Sequence, residues 1–142
     1  MGHPSSSIAQ QNAEAWLLRE AASRLGVQFT DTHPPALRAL KLDGYAEAAE
    51  PVCVEVFAHV GPCKDGQKRK LSRDMTKLLL AERWLGKDCR KVIVVVDAEA
   101  LRHFSNGWDG EFAKAFGIET LVVNIEADLR RQLLDAQARQ RR

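Results

Sequence analysis

The chain has 142 residues, 45% hydrophobic and 28% charged, with a formal net charge of +2. That length and balance predict one globular domain with a core of several elements. No apolar run approaches the ~18 residues of a membrane-spanning helix, which excludes a membrane partner of that kind. Residues 1–8 lack a basic region followed by an apolar stretch, so they are expected as a disordered leader, partly a cloning remnant, rather than a secretory signal. Residues 9–142 are expected as the single domain. Cys53, Cys63 and Cys89 are an odd set without CxxC spacing. They argue against a disulfide framework or a zinc site and for reduced thiols in a cytoplasmic protein.

Charge is unevenly distributed. Between Lys64 and Lys91 there are ten Lys or Arg against four acids, a local +6, which leaves −4 for the rest. A basic block in an otherwise acidic chain points to an anionic partner, although a well-solvated helix face would look the same.

In chain order, Ala13, Trp16, Leu17, Ala21 and Leu25 recur at three- and four-residue steps before Gly26, predicting an amphipathic helix over 9–25. Val27 to Thr30 is a candidate short strand, and Asp31 to Pro35 a turn. Two strands follow, over 37–46 and 52–60. In the second, Val52, Val54, Val56, Ala58 and Val60 share one face, and Cys53, Glu55, Phe57 and His59 the other. The short connection of Glu47 to Pro51 makes them an antiparallel hairpin. Gly61-Pro62 ends the second strand. Leu71, Met75, Leu78, Leu79 and Leu85 then mark the buried side of a helix over 64–85, closed by Gly86. Lys91 to Asp97 is almost continuously apolar, as a central strand would be. Short helices are expected over 98–104 and 109–116, separated by an Asn106-Gly107 turn. Ile118 to Asn124 is expected as another buried strand, and 126–142 as a terminal helix. The expected fold class is α/β, a mixed sheet flanked by helices on both sides.

Pairing the hairpin symmetrically about residue 49 places Asp43 across from Glu55, Lys41 across from Phe57 and Tyr45 across from Cys53. Opposed side chains on one face have Cβ atoms roughly 5 Å apart. Two carboxylates that close repel, and a divalent cation held between them removes the conflict. Oxygen-only ligands suit Mg²⁺ or Mn²⁺. A slip of one residue would put the acids on opposite faces, and projection of both into solvent would leave no site. In the next helix Gln67, Lys70, Asp74 and Lys77 fall within an arc of roughly 80°, flanking the apolar stripe. Such a row either leans over the sheet towards the acids or simply solubilises the surface. Metal-assisted phosphodiester cleavage needs carboxylates, a cation near the scissile phosphate and polar backbone contacts, and all three kinds are present.

The Asp of LDGY, the Glu of VCVEVF and the basic helix after them resemble the PD-(D/E)XK, or restriction-endonuclease-like, nuclease superfamily. The GPCKDGQKRKLSRDMTKLLL stretch is similar to small uncharacterised bacterial members. The resemblance spans about residues 9–124 and implies a restriction-endonuclease-like core. It further implies a Mg²⁺-dependent nuclease, with DNA as the expected substrate and a homodimer as an open alternative to a monomer. Asp43 and Glu55 take the positions of the motif's metal-ligating acids, with Glu14 or Glu20 as a further acid that some members carry. The motif's lysine position holds Phe57, which cannot orient water or stabilise charge. Lys70 is the expected substitute, with Lys77 and Lys41 behind it. Gln67 is expected at the catalytic site, and Lys64, Lys68, Arg69, Arg73 and Lys77 on nucleic acid. If no lysine reaches the acids, the expectation becomes a nuclease-like module that binds nucleic acid or protein without cutting.

Three other residues stand out. His59 shares the face of Glu55 and is either a ligand or a structural histidine. Asp97 ends the central strand as a functional acid or a helix cap. Trp108 is expected in the core. No phosphate-binding glycine loop is present.

Overall fold

The computed structural model describes residues 4–105 and 107–140, with side chains for 8–102 and 107–139. Its elements are α1 (Pro4–Leu25), a 3-10 turn (Pro35–Leu37), β1 (Gly44–Ala46), β2 (Val52–Phe57), α2 (Asp65–Leu85) and β3 (Arg90–Val95). They are followed by α3 (Ala98–Ser105), α4 (Trp108–Ala115), β4 (Ile118–Val122) and α5 (Ala127–Gln140). The four strands form one mixed sheet in the order β1-β2-β3-β4. β1 runs antiparallel to β2, while β2, β3 and β4 are mutually parallel neighbours.

Two successive crossovers step the same way across the sheet, from β2 through α2 to β3 and from β3 through α3 and α4 to β4. Crossovers of one hand moving in one direction return on the same face. Leu71, Met75, Leu78 and Ala81 of α2 accordingly share a core with Ala100 of α3, Ala113 of α4 and the sheet residues Cys53, Phe57, Ile93 and Val95. The opposite face carries α1 and α5: Ala13, Leu17, Ala21, Leu129 and Leu133 pack against Val52, Val54, Val56, Val92 and Val94. The alternation expected along β2 is therefore the alternation observed, one set of side chains per core.

The helices end as the local chemistry dictates. Gly86 adopts φ 72°, a left-handed conformation that glycine enters without a Cβ clash, and its N–H donates to Glu82 O at 3.1 Å. At the other end of α2 the Gln67 side chain accepts from the Lys64 N–H at 2.9 Å. That bond is the N3 half of a capping box.

Several expectations are corrected. Strand pairing begins only at Gly44, not near Leu37, because Pro35–Leu37 closes a 3-10 turn and Arg38 follows at φ 55°. An extended ladder cannot run through that turn, so Lys41 has no strand position opposite Phe57. β2 stops at Phe57 rather than Val60. Val27 to Thr30 is not a strand; its attachment is the Thr30 N–H donating to Tyr45 O at 2.8 Å. α1 starts at Pro4, earlier than the expected start at residue 9. β4 is an edge strand with Glu119 and Thr120 exposed, since it ends the strand order and, among the described residues, no further strand pairs with it. Trp108 lies outside the core at 76% exposure. Asn106 of the expected Asn-Gly turn falls outside the described residues.

Candidate active site

The hairpin register is Gly44 with Val54, Tyr45 with Cys53 and Ala46 with Val52. Asp43, one residue before β1, thus arrives level with Glu55. The two side chains interlock with the opposing backbone: the Asp43 N–H donates to Glu55 Oε2 at 2.8 Å, and the Val56 N–H donates to Asp43 Oδ2 at 2.8 Å. These two bonds tie the open end of the hairpin and hold the acids facing each other.

Gly44 makes this approach possible. A Cβ there would lie 3.1 Å from Leu18 Cδ2 and 3.3 Å from the Phe29 ring. Any larger residue would require Leu18 or Phe29 to give way by a few tenths of an ångström.

The environments of the two acids differ. Asp43 is exposed and borders a cleft of 430 Å³ formed with α1 and Val27–Asp31. Glu55 is 1% exposed and faces α2. Burial, then the charge of Asp43, push its carboxyl up to about 7, against the opposing pull of Lys77 and the Asp43 N–H. Lys77 makes a salt bridge to Glu55 Oε1.

One helical turn earlier stands a second ion pair. Lys70 Nζ contacts Asp74 Oδ2 at 2.8 Å, lies 3.5 Å from Val56 O and sits 5.8 Å above the Phe57 ring centre. Asp74 is only 4% exposed, and burial raises its carboxyl pKa despite Lys70. The nearness of Asp43 adds to that rise. Residues 43, 55, 70, 74 and 77 therefore form one electrostatic group, three acids against two lysines. By spacing alone Asp74 belongs to the flanking polar row. Its burial was legible only as its phase, three residues after Leu71 and four before Leu78.

The remaining expected site residues divide. Gln67 and Lys70 line a cleft of 210 Å³ with Gln10, Phe57, Ala58, His59 and Gln137. Lys68, Arg69 and Arg73 are exposed on α2, and Lys64 is exposed at its N-cap. Lys77 is half-buried at the acid pair rather than on that outer surface. Glu14 and Glu20 lie on α1, across the sheet from α2, and Glu14 accepts from Gln10 Nε2 at 3.2 Å. Neither joins Asp43 and Glu55. Lys41 is exposed in the segment before β1. His59 Nε2 is 3.2 Å from Pro62 O, and its ring lies 5.8 Å from that of Phe57, which places it in the loop closing β2. Asp97 acts as a cap and a tie: its Oδ1 accepts from the Glu99 N–H at 3.1 Å, its Oδ2 from the Gly61 N–H at 3.0 Å.

Among the described residues no cluster of three or more His, Cys, Asp or Glu is arranged to hold a metal. Two carboxylates fit Mg²⁺ all the same. That ion keeps several waters and takes one or two protein carboxylates, with substrate phosphates completing its shell. The donors are all oxygen, and the high Glu55 pKa marks a buried carboxylate that a cation would stabilise. Lys77 holds that place with its ammonium.

No family model, curated protein or solved structure matches this chain.

Proposed function

We propose that this protein is a Mg²⁺-dependent nuclease of the PD-(D/E)XK type, cytoplasmic and acting on DNA as a monomer or homodimer, with its lysine displaced from β2 to α2. The observation that carries this reading is the pair of lysines that α2 sets at β2, Lys77 bridged to Glu55 and Lys70 held on Asp74 above the Phe57 ring, where the strand itself offers no lysine. The order of elements supports it: a helix, a hairpin, a crossover helix and two further parallel strands.

In this reading Asp43 and Glu55 hold the ion, which supplies an activated water and neutralises charge at the phosphodiester. Lys70 and Lys77 stand on either side of Asp74 along α2, so an ammonium on that face stabilises the negative charge that develops on the phosphoryl oxygens. Lys64, Lys68, Arg69 and Arg73 extend the positive surface along the outside of α2 for backbone phosphates. Gln67 caps its own helix and keeps its amide N–H₂ at the cleft beside Lys70.

The test is nicking of supercoiled plasmid in Mg²⁺ or Mn²⁺, comparing the wild type with Asp43→Ala. Nicking that disappears in the variant upholds the assignment, and nicking indifferent to Asp43 removes it. The burial of Phe57 at the motif's lysine position favours one second reading, a module that binds nucleic acid without cutting. Salt-sensitive DNA binding with no nicking in either ion would select it.

A further inference from the structure

The Lys70–Asp74 pair is poorly explained as a stabiliser of its helix. An acid placed four residues after a lysine is the less favourable order for such a pair, and exposed pairs of this spacing contribute little to helix stability. Asp74 is also not at the surface. It occupies the buried stripe of α2 together with Leu71, Met75 and Leu78, at 4% exposure. A carboxylate there loses hydration, and an apolar residue of similar size would pack the position at less cost. Lys70, by contrast, is half-exposed, with 46% of its side chain accessible. Left alone, a lysine so exposed samples many rotamers in water.

The pair has a definite consequence for where the Lys70 ammonium sits. With Asp74 Oδ2 at 2.8 Å, the Nζ is drawn inward over the end of β2, to 3.5 Å from Val56 O and 5.8 Å above Phe57. Val56 lies between Glu55 and Phe57. The amine that the side chain at 57 does not supply is thus brought to the same stretch of strand from the helix.

We infer that Asp74 is a positioning residue of the active site, a buried carboxylate whose role is to hold the Lys70 ammonium at the Glu55–Phe57 end of β2. Asp74 itself touches neither substrate nor ion; it acts through Lys70. The role rests on the nuclease reading for its purpose but not for its geometry, and two measurements keep the failures of each apart.

The first is structural and needs no activity. Amine-selective labelling of the full-length protein, followed residue by residue by mass spectrometry, reports how freely each lysine meets reagent. Asp74→Asn keeps the shape and removes the charge. It is expected to raise the Lys70 labelling rate several-fold while Lys64 and Lys87 stay unchanged, with the thermal melting transition retained. Unchanged Lys70 labelling in a folded Asp74→Asn protein overturns the inference, whether or not the protein is a nuclease.

The second is kinetic, by plasmid nicking. Asp74→Asn is expected to lower kcat by ~10-fold or more with KM nearly unchanged, Lys70→Met to do the same, and the double variant to be no worse than Lys70→Met alone. Recovery of kcat by Asp74→Glu, which restores the charge, supports positioning over a structural role. Losses that multiply in the double variant overturn it. Wild-type protein that does not nick at all counts against the nuclease reading and leaves the labelling result to decide on Asp74.

Discussion

Asp43 and Glu55 each bind the backbone of the other's strand, Asp43 N–H to Glu55 Oε2 and Val56 N–H to Asp43 Oδ2, both at 2.8 Å. The geometry keeps two carboxylates together that would otherwise separate. Removing Asp43 should therefore change Glu55 directly. Asp43→Ala takes away the second cause of the raised Glu55 pKa, and that pKa should move down from about 7 towards the ordinary carboxylate range. A ¹³C carboxyl titration of Glu55 measures the shift, and an upward or absent movement would contradict the assigned electrostatics.

Glu55 should also make stability depend on pH. Its carboxyl is raised from 4.5 to about 7 in the folded protein. The native state therefore binds more protons than the unfolded state between those values. The contribution is complete below the unfolded value and is lost as pH rises through the folded one. Glu55→Gln, which cannot ionise, should be more stable than the wild type by about 3 kcal/mol at pH 8 and close to it at pH 4. Urea unfolding at the two pH values checks both sign and window.

Lys77 is the counter-charge that partly offsets the burial of Glu55. In Lys77→Met the carboxylate keeps its buried place without the ammonium. The expected loss is about 2 kcal/mol near pH 8, smaller at pH 5 where Glu55 is protonated. If the acid pair holds a divalent cation, added Mn²⁺ should restore part of that stability in the variant. Thermal melts with and without the metal give the comparison, and a melting temperature indifferent to Mn²⁺ in the variant would remove the metal from this pair.

Gly44 fixes the approach of Asp43 to the sheet. Gly44→Ala places a Cβ 3.1 Å from Leu18 and 3.3 Å from the Phe29 ring, so a neighbour or the strand must give. We expect a loss of about 1–3 kcal/mol by denaturant unfolding, together with a nicking defect from displacement of Asp43. Relaxation by a Leu18 rotamer change alone would leave nicking intact.

Trp108 offers a check on the fold away from the site. At 76% exposure it should account for the red-shifted, easily quenched part of the tryptophan fluorescence. Trp108→Phe should leave a blue-shifted emission from Trp16 and Trp84, both partly buried. Acrylamide quenching measures the difference.

Much of this arrangement is written in local periodicity. The two-residue alternation of VCVEVF assigns Glu55 to the face of Phe57, and a hairpin of short connection leaves one natural register, the one that sets Tyr45 beside Cys53 and brings Asp43 to Glu55. The α2 stripe and its Gly86 stop follow equally from spacing, because such patterns need only nearest neighbours along the chain. The segment before Asp43 is not legible in that way for the complementary reason: a 3-10 turn and the positive φ of Arg38 depend on how that loop packs, not on its hydrophobicity.

The sequence alone determined which acids face each other and which helix lies over them. Tertiary structure alone decided which lysine meets which acid. A lysine spans several ångströms and swings through many rotamers, so Lys70 and Lys77, seven residues apart on one helix face, are equivalent candidates by spacing. Packing of α2 on β2 and β3 breaks that equivalence. It sets the rotation of the helix, buries Asp74, turns Lys70 onto it and delivers Lys77 to Glu55.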